Sequence, residues 1–455
     1  MSRRTVTIAT LKSRTSARCL PWSASDPMAA PQSLSYWQAS TPPFAAGEQG
    51  RVEGDCDVAI IGGGFTGLSA ALALAREGAS VVLLEAGRVA GAASGRNGGQ
   101  CNAGTAHDFG ALAAGHGVDL ARKWYQAHVD AVEAVGRIAQ REGIDCDFTR
   151  CGRAKLAAKP EHFPKLEAAH ALLLREVDPN VLLIGPDELS SEINAQGFHG
   201  ALVQTTSAQL HPGKFGSGLA QAAVRAGARI WESAPVDMLD RSGRGWKLGT
   251  PRGSLRAKQV LVATGGNSPY APFGWFRRRI VTVGSFVIAT EPLPADLAAH
   301  LFPTRRNYVT SRIIGNYFRL TADNRLIFGG RARFALSNPA SDAKSGAVLE
   351  AKMRELFPDL AGVRVDACWG GAIDLTADRL PRAGEHEGLF YAMGYSGHGV
   401  QMATAMGENM AKVMGGDAAA NPFADLSWPA IPGHLGKPWF LPMVGAWYRL
   451  QDWLH

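Results

Sequence analysis

Several features that assign a function at once are missing from this 455-residue chain. No apolar run reaches the roughly 18 residues that a membrane-spanning helix needs. The six cysteines form no CxxC pair and show no zinc-like spacing with histidine, so no metal site is expected. This cysteine usage favours a reducing, cytoplasmic compartment. No pair of acidic or nucleophilic residues stands out as an acid–base constellation.

An excess of one charge is also absent from the body of the chain. More than half of the net charge of +7 lies in residues 1–27, which hold five basic residues and one acid. The remainder predicts no basic surface for nucleic acid. Residues 1–34 are interpreted as a disordered or mis-assigned extension. A start at Met28, a disordered tail and a Ser/Thr/Arg-rich targeting peptide all remain open.

One segment, from Asp57 to Glu85, predicts a nucleotide-binding βαβ unit. The apolar run Val58–Ile61 is typical of a buried parallel strand, and Val81–Leu84 is the second strand. Between them stand a G-x-G-x-x-G turn and the alanine- and leucine-rich helix Leu68–Arg76, which Gly78 terminates.

Each glycine of this turn has a physical task. Gly62 allows a tight turn, Gly64 lets the backbone approach a pyrophosphate, and Gly67 lets the helix lie close to the sheet. Phe65 and Thr66 open the helix, whose free N–H groups attract phosphate. Glu85, with Ala86 beside it, is placed for the adenosine ribose and disfavours a 2′-phosphate, so the unit alone predicts FAD or NAD.

The stretch after the second strand favours FAD over NAD. Arg88 is followed by a loop rich in glycine and other small residues, in which Arg96 and Asn97 supply hydrogen-bond donors. This loop resembles that of the D-amino-acid-oxidase-like flavoproteins, where the matching segment runs beside the FAD pyrophosphate and flavin. The resemblance assigns cofactor contacts to Ser94, Gly95, Arg96, Asn97, Gly98, Gly99 and Gln100.

Further matches to that family follow in order along the chain. Ala234–Val236 resembles its adenine-side strand, with the backbone of Val236 at the adenine edge. Val260–Gly266 resembles its second dinucleotide strand, and places Thr264 and Gly265 at the cofactor. Gly394–Val400 opens a helix that runs to about Met414, and the family aims such a helix at the flavin through Gly397, His398, Gly399 and Val400. A positive helix end there stabilises reduced flavin.

From about Ser35 to Leu454 the chain resembles the gamma-glutamylputrescine oxidase branch, a relative of glycine and sarcosine oxidases. The motifs that carry this resemblance are Tyr36-Trp37, Leu210-His211-Pro212, Ile288–Leu293, Arg319–Asp323, Arg325–Gly330, Trp369-Gly370-Gly371 and Gly445–Tyr448. The resemblance implies a role in polyamine catabolism. It also implies oxidation of the C–N bond of an amine or amino acid by hydride transfer to flavin N5, hydrolysis of the imine, and reoxidation by O2.

Two departures from the family refine these expectations. Gly371 stands where some relatives carry a flavin-linked cysteine, so we predict non-covalent FAD. No lysine occurs between Gly274 and Asp342, although relatives use one to activate oxygen. The candidate catalytic residues are His398 and Arg319. For His398 a purely structural loop role stays open, and for Arg319 a surface position stays open beside contact with a substrate carboxylate or the flavin.

The predicted fold is α/β: a Rossmann-type FAD-binding domain with a central parallel sheet, and an interleaved antiparallel-sheet substrate domain. The FAD-binding domain is expected at 35–105, 205–275 and 365–420, and the substrate domain at 106–204 and 276–364. Strands are expected at Thr282–Thr290, Asn316–Leu320 and Leu326–Phe328. The aromatic tail, 421–455, is expected to pack on the body, with a membrane interface or a partner as alternatives.

Two other functions remain open at this point. One is a dehydrogenase that passes electrons to a quinone or a protein instead of O2. The other is a flavin-binding subunit without turnover. The sequence predicts neither the amine nor the oligomeric state.

Overall fold

A computed structural model describes residues 34–267, 272–330, 336–436 and 438–454 of the chain. The predicted extension, 1–34, therefore lies almost wholly outside the described residues. The described helices are α1 (Tyr36–Ala39), α2 (Phe65–Arg76), α3 (Phe109–His116), α4 (Val118–Glu142), α5 (Phe163–Glu176), α6 (Pro212–Arg225), α7 (Gly274–Arg277), α8 (Ala295–Leu301), α9 (Pro339–Leu356), α10 (Gly399–Met414) and α11 (Leu441–Leu454).

The described strands are β1 (Asp55–Ile61), β2 (Val81–Leu84), β3 (Gln100–Cys101), β4 (Thr149–Arg150), β5 (Arg153–Leu156), β6 (Leu182–Ile184), β7 (Ala201–Gln204), β8 (Ala208–Gln209), β9 (Arg229–Trp231), β10 (Met238–Ser242), β11 (Gly245–Thr250), β12 (Gly253–Val262), β13 (Val281–Pro292), β14 (Asn307–Thr310), β15 (Asn316–Leu320), β16 (Arg325–Gly330), β17 (Val365–Leu375), β18 (Arg382–His386) and β19 (Leu389–Met393). Short 3-10 turns occur at Ala93–Gly95, Pro160–His162, Pro186–Ser191, Gly265–Asn267, Pro358–Leu360 and Ala418–Ala420.

The first sheet is parallel at its centre. Strands β12, β1, β2 and β9 pair in that order, and β19 joins the far side of β12 in parallel. Helices α2, α6 and α10 cover one face, where α2 and α10 lie side by side. Strands buried on both faces read as continuous apolar runs, which is why β1 and β2 were visible in the sequence.

The second sheet has eight strands in the order β17-β13-β16-β15-β14-β5-β7-β6. Its pairs are antiparallel except for β14 with β5, which are parallel. Its core packs under α9 and is rich in aromatic side chains, among them Phe286, Phe302, Phe318 and Phe328. A small three-stranded sheet, β3-β8-β4, lies beside these two.

Two expected details of the fold are wrong. Ala234–Val236 is not a strand; it is an irregular link between β9 and β10, although Ala234 N still donates to Glu85 O at 2.8 Å. Strand β17 begins at Val365, where we placed the return to the FAD-binding domain, but it pairs with β13 in the second sheet. The sequence of a strand does not show with which other strand it pairs. No helix among the described residues is long and apolar enough to cross a membrane.

Candidate functional site

A cavity of about 900 Å³ runs from the first sheet to the second. It begins at Glu85 and Val236, follows the glycine turn, and ends under the second sheet. Most of the predicted cofactor residues line it: Gly62, Gly64, Phe65, Thr66, Glu85, Ala86, Ser94, Arg96, Asn97, Gly98, Gln100, Val236, Thr264, Gly265, Gly397, His398, Gly399 and Val400. Five sequence segments that are far apart in the chain therefore share one wall.

The glycine turn has the geometry that its sequence predicts. Gly62 has a φ of +112°, and a side chain on it would meet Ala263 O at 2.6 Å. A side chain on Gly67 would lie 2.0 Å from Gly62 O, so only glycine lets α2 lie this close to β1. Gly67 thus shapes the site from behind and does not line the cavity.

Glu85 is held by the turn that it faces. Its two carboxylate oxygens accept from Gly63 N at 2.6 Å and from Gly87 N at 2.7 Å. Burial raises the pKa of Glu85, and these two N–H groups oppose the rise. Each oxygen keeps a further lone pair, which is what a ribose with two hydroxyl donors requires.

The loop from Ser94 to Gln100 is fixed by contacts to the protein. Ser94 Oγ accepts from Phe65 N at 3.0 Å and so lies at the start of α2. Asn97, expected to donate to the cofactor, donates instead to Ala93 O and Ser94 O and accepts from Gly99 N. Arg96 donates to Gly370 O through Nε at 2.5 Å, and burial lowers its pKa. These side chains therefore hold the loop in its shape.

Helix α1 and its N-cap residue, Ser35, form hydrogen bonds to the outer side of this loop. Ser35 Oγ donates to Gly95 O at 2.6 Å, and Gln38 Nε2 donates to Gly91 O at 2.8 Å. Trp37, which is 1% exposed, donates from Nε1 to Asn97 O at 2.6 Å. The Tyr36-Trp37 motif therefore serves the cofactor loop although it precedes it by 60 residues.

Arg319 is not among the residues that line the cavity, and its burial contradicts the surface position that the sequence left open. It is 3% exposed and donates to Gly98 O and Leu210 O, both at 2.7 Å. Its guanidinium lies 5.1 Å from the Trp37 ring centre. Burial lowers its pKa to about 10, and it ties β15 to the back of the loop.

Three other predicted residues also lie off the cavity. A side chain on Gly95 would lie 2.2 Å from Ala90 O, and one on Gly99 would lie 2.2 Å from the Arg319 guanidinium. Both are packing positions behind the loop. Arg88 is exposed and contributes nothing to the cavity wall.

The turn before α10 closes the cavity on the side of the second sheet. Gly394, Ser396 and Gly397 all have positive φ values, between +51° and +99°. Asp374, at the end of β17, accepts from Gly394 N at 2.7 Å. Burial raises the pKa of Asp374 to about 6, against the opposing effect of the Gly394 and Tyr395 N–H groups. The sequence did not single out Asp374; its only signal was an acid at the end of a strand.

His398 stands at the N-terminus of α10 and lines the cavity. Its ring lies 5.9 Å from that of His128, whose pKa burial lowers to about 4. His128 is therefore neutral near pH 7, and α10 directs the positive end of its dipole into the cavity. The predicted placement of this helix start agrees with the structure.

The far end of the cavity is rich in cations that the sequence analysis missed. Strand β5 turns Arg153 and Lys155 to the same side, because side chains two residues apart share a face. Lys155 Nζ pairs with Asp108 Oδ1 at 2.7 Å. Arg312 and Arg379 line the same end. Among the described residues at this end, four cations and the carboxylate of Asp108 line the cavity.

Arg153 is fixed from behind by a buried network. It donates to Gln204 Oε1, Gln204 Nε2 donates to Tyr125 Oη at 2.8 Å, and Tyr125 Oη donates to Asp178 Oδ2 at 2.9 Å. Its Nε makes no hydrogen bond among the described residues. Such a network holds the guanidinium in one orientation at the wall of the cavity.

The described cysteines lie away from the cavity. None of Cys56, Cys101, Cys146, Cys151 and Cys368 belongs to its lining. Cys368 Sγ donates to Asp342 O at 3.2 Å, and burial raises its pKa to about 12. Gly371 lines the cavity instead. Non-covalent FAD stays a prediction: the flavin should leave the protein on acid precipitation.

Within the described ranges no His, Cys, Asp and Glu side chains cluster as a metal site would require.

Comparison with known families gives the class of this protein. The model of the FAD dependent oxidoreductase family matches residues 57–413, from the start of the βαβ unit to the end of α10. The chain therefore belongs to the FAD-dependent oxidoreductases of the D-amino-acid oxidase type, and its cofactor is FAD. The predicted family, fold class, enzyme class and cofactor are confirmed.

Individual proteins and solved structures are similar to this chain over most of its length. The chain is 32% identical over 422 residues to the gamma-glutamylputrescine oxidoreductase of Escherichia coli K12, covering 92% of this chain and 98% of the relative. Its fold is similar to the crystal structure of glycine oxidase from Geobacillus kaustophilus, with a TM-score of 0.67 at 22% identity over 84% and 98% of the two chains. An L-amino acid deaminase from Proteus myxofaciens gives a TM-score of 0.69 at 20% identity over 86% and 96%.

Proposed function

We propose that this chain oxidises the C–N bond of an amine that carries a carboxylate, with gamma-glutamylated amines as the first candidates. The observation that supports this most is the charge of the far end, where, among the described residues, Arg153, Lys155, Arg312 and Arg379 outnumber the carboxylate of Asp108. A carboxylate is attracted to such an end, whereas a bare diamine with two positive charges is repelled. The named relative acts on a substrate of the first kind.

In this proposal each part of the cavity has one task. The glycine turn and Glu85 would hold the dinucleotide half of FAD, and β17 from Gly371 to Asp374 and the start of α10 would hold its flavin half. When bound, FAD supplies the two-electron oxidation by accepting a hydride at N5. The cations at the far end hold the carboxylate, and so fix the distance from the charged end of the substrate to the reacting C–N bond.

No side chain that the structure places in the cavity is needed as a strong base. A deprotonated amine is enough for hydride removal. His398 and the N–H groups of Gly399 and Val400 are proposed to stabilise negative charge on the reduced flavin. His398 is therefore the remaining candidate of the two catalytic residues.

The acceptor of the electrons belongs to the same proposal. We propose O2 as the acceptor, in the cytoplasm, with the resulting imine hydrolysed by water. The alternative, transfer to a quinone or protein, is favoured by one observation. The one lysine in the described cavity wall, Lys155, is ion-paired with Asp108 and lies on β5, outside the segment where relatives carry their oxygen-activating lysine.

The test is an anaerobic mixing experiment that follows the flavin band near 450 nm. The compounds are gamma-glutamylputrescine, putrescine and N-acetylputrescine, of which the last is capped but has no carboxylate. Bleaching by the first alone supports the proposal. Bleaching by all three at similar rates contradicts the role of the carboxylate, and no bleaching contradicts the activity. Bleaching without oxygen consumption in aerated buffer assigns the electrons to another acceptor.

A further inference from the structure

The segment that leads into α11, and α11 itself, expose an unusual set of apolar side chains. Every exposed tryptophan among the described residues lies there: Trp439 at 67%, Trp447 at 56% and Trp453 at 78%. Met443 and Leu450 are exposed beside them. Single exposed apolar residues are ordinary, but a contiguous aromatic group marks a surface that something covers.

These side chains form one face of the helix. Met443, Trp447 and Leu450 recur at intervals of four and three residues, and Trp453 follows after three more, which is the repeat of one helical face. The opposite face docks on the body. Asp452 Oδ1 and Oδ2 accept from Ile313 N and Ile314 N, both at 2.8 Å, and Tyr448 Oη accepts from Arg379 at 2.9 Å.

Docking on one face therefore leaves the aromatic face directed outward. Asp452 and Tyr448 contact the body, and the tryptophans remain exposed. The anchoring points adjoin the cavity, because Arg312, Ile313 and Arg379 also line it. Whatever covers the outer face therefore lies near the far end of the cavity.

Basic groups border this apolar face. Arg449 is exposed on α11 itself. Lys159 Nζ donates to Asp452 O at 3.0 Å, and Arg277 packs against Gly436. Arg278 is exposed and its carbonyl oxygen accepts from Ile431 N at 2.9 Å. Asp452 and Glu161, which lies 3.9 Å from Lys159 Nζ, are the acids near this border, so Arg449 and Arg278 are the exposed basic groups there that could meet anionic headgroups.

A second copy of the chain is a poor match for this face. A helix of 14 residues is roughly 21 Å long and its exposed face roughly 10 Å wide. The resulting area of about 200 Å² is far below the roughly 800 Å² per partner of a stable interface. A bilayer surface needs no such area, since an amphipathic helix buries its apolar face about 5–10 Å deep while basic residues meet the headgroups.

We propose that α11 is a membrane-surface anchor that binds the headgroup region of a bilayer containing anionic phospholipids, through Trp439, Met443, Trp447, Leu450 and Trp453 with Arg449 at its edge. Tryptophan is the side chain best suited to this region, because its ring is apolar and its N–H remains hydrated. The far end of the cavity then lies near the bilayer. This proposal does not depend on which amine is oxidised.

The test is cosedimentation of the full-length holoprotein with vesicles. Vesicles of phosphatidylcholine mixed with an equal part of phosphatidylglycerol should carry the protein down, and pure phosphatidylcholine should carry down much less. The double variant Trp447→Ser/Trp453→Ser should bind the anionic vesicles at least about tenfold more weakly. The matched control is Leu174→Ser/Val348→Ser, which removes two exposed apolar side chains elsewhere, 48% and 50% exposed, and should bind like the wild type.

Three results would overturn the proposal. The wild type does not sediment with anionic vesicles, or the tryptophan variant sediments as well as the wild type. Alternatively, light scattering shows a dimer that the tryptophan variant dissociates, which assigns the face to a second copy. Flavin content and thermal midpoint of the tryptophan variant, measured alongside, should equal those of the wild type because both side chains are exposed.

Discussion

The two walls of the cavity differ in how their residues are distributed along the chain. The wall on the first sheet is built from contiguous runs, above all Asp57–Glu85 and Gly394–Val400. The wall on the second sheet also contains short runs, at 309–313 and 315–317, but its four cations come from separate strands and loops: Arg153 and Lys155 on β5, Arg312 after β14, and Arg379 before β18. A backbone cradle for phosphates needs consecutive residues, whereas a substrate pocket needs only side chains that converge in space.

This difference predicts that substitutions on the two walls have separable effects. Damage to the first wall should cost flavin or stability, and damage to the second should cost substrate selectivity with flavin retained.

The strongest test of the first wall is Gly67→Ala. The added carbon would lie 2.0 Å from Gly62 O, a backbone atom that cannot move without shifting β1 or α2. Overpacking of this kind costs about 3 kcal/mol or more, so FAD affinity should fall more than about 100-fold. The ratio of absorbance at 450 nm to that at 280 nm in the purified protein measures it.

The control for that variant is Gly115→Ala in α3, where an added carbon meets nothing within 4 Å. It should bind flavin like the wild type. Full flavin content in Gly67→Ala would show that the close approach of α2 and β1 is not needed for the cofactor.

The second prediction concerns Arg319, which joins the two walls from behind. Arg319→Lys keeps the charge but loses most of the donors to Gly98 O and Leu210 O, so unfolding free energy should fall by about 2–3 kcal/mol. The KM of the remaining holoprotein should stay within about twofold of the wild type. Denaturant unfolding and steady-state rates measure the two effects. A large rise in KM at unchanged stability would contradict this prediction and would support the substrate contact that was predicted from the sequence.

The third prediction is a pH dependence at Asp374. Burial raises the pKa of Asp374 in the folded protein to about 6. Its neutral form therefore stabilises the fold fully at pH values below the pKa of the group in the unfolded chain, which is about 4. That contribution is lost as the pH rises through 6. Asp374→Asn has no proton to lose, so it should gain about 2 kcal/mol relative to the wild type between pH 4 and pH 7. Thermal unfolding of the holoprotein across this range would show no such gain if Asp374 is ionised throughout.

The fourth prediction tests the second wall alone. Lys155→Met removes one of the four cations at the far end and frees Asp108. The kcat/KM for a carboxylate-bearing amine should fall about tenfold, which corresponds to about 1.4 kcal/mol, while flavin content stays unchanged. The matched control is Lys352→Met, since Lys352 lies on α9 and pairs only with Glu355 at 2.5 Å. A loss of flavin in Lys155→Met would break the separation of the two walls.

The sequence predicted the first wall well for a physical reason. Gly62, Gly64 and Gly67 each meet a steric demand of the same local turn, so their spacing carries the geometry. It predicted less where a side chain acts at long range. Asn97 and Arg319 have the chemistry of ligand donors, but their partners are carbonyl groups that only the folded chain brings near.

The far end shows the same limit more strongly. Arg153 and Lys155 are two basic residues on a short strand, a pattern typical of an exposed face. Their position in the cavity depends on β14, about 150 residues further on, which pairs with β5 in parallel. Likewise β17 was assigned to the wrong sheet, because its partner β13 is not adjacent in sequence.

The most direct test of the two-wall account is a crystal structure of the holoprotein with gamma-glutamylbutylamine, a substrate analogue that lacks the amine to be oxidised. The account predicts FAD along the glycine turn with its flavin between β17 and the start of α10. It also predicts the carboxylate of the analogue within about 4 Å of Arg153, Lys155, Arg312 or Arg379. A carboxylate bound away from all four of these cations would contradict it.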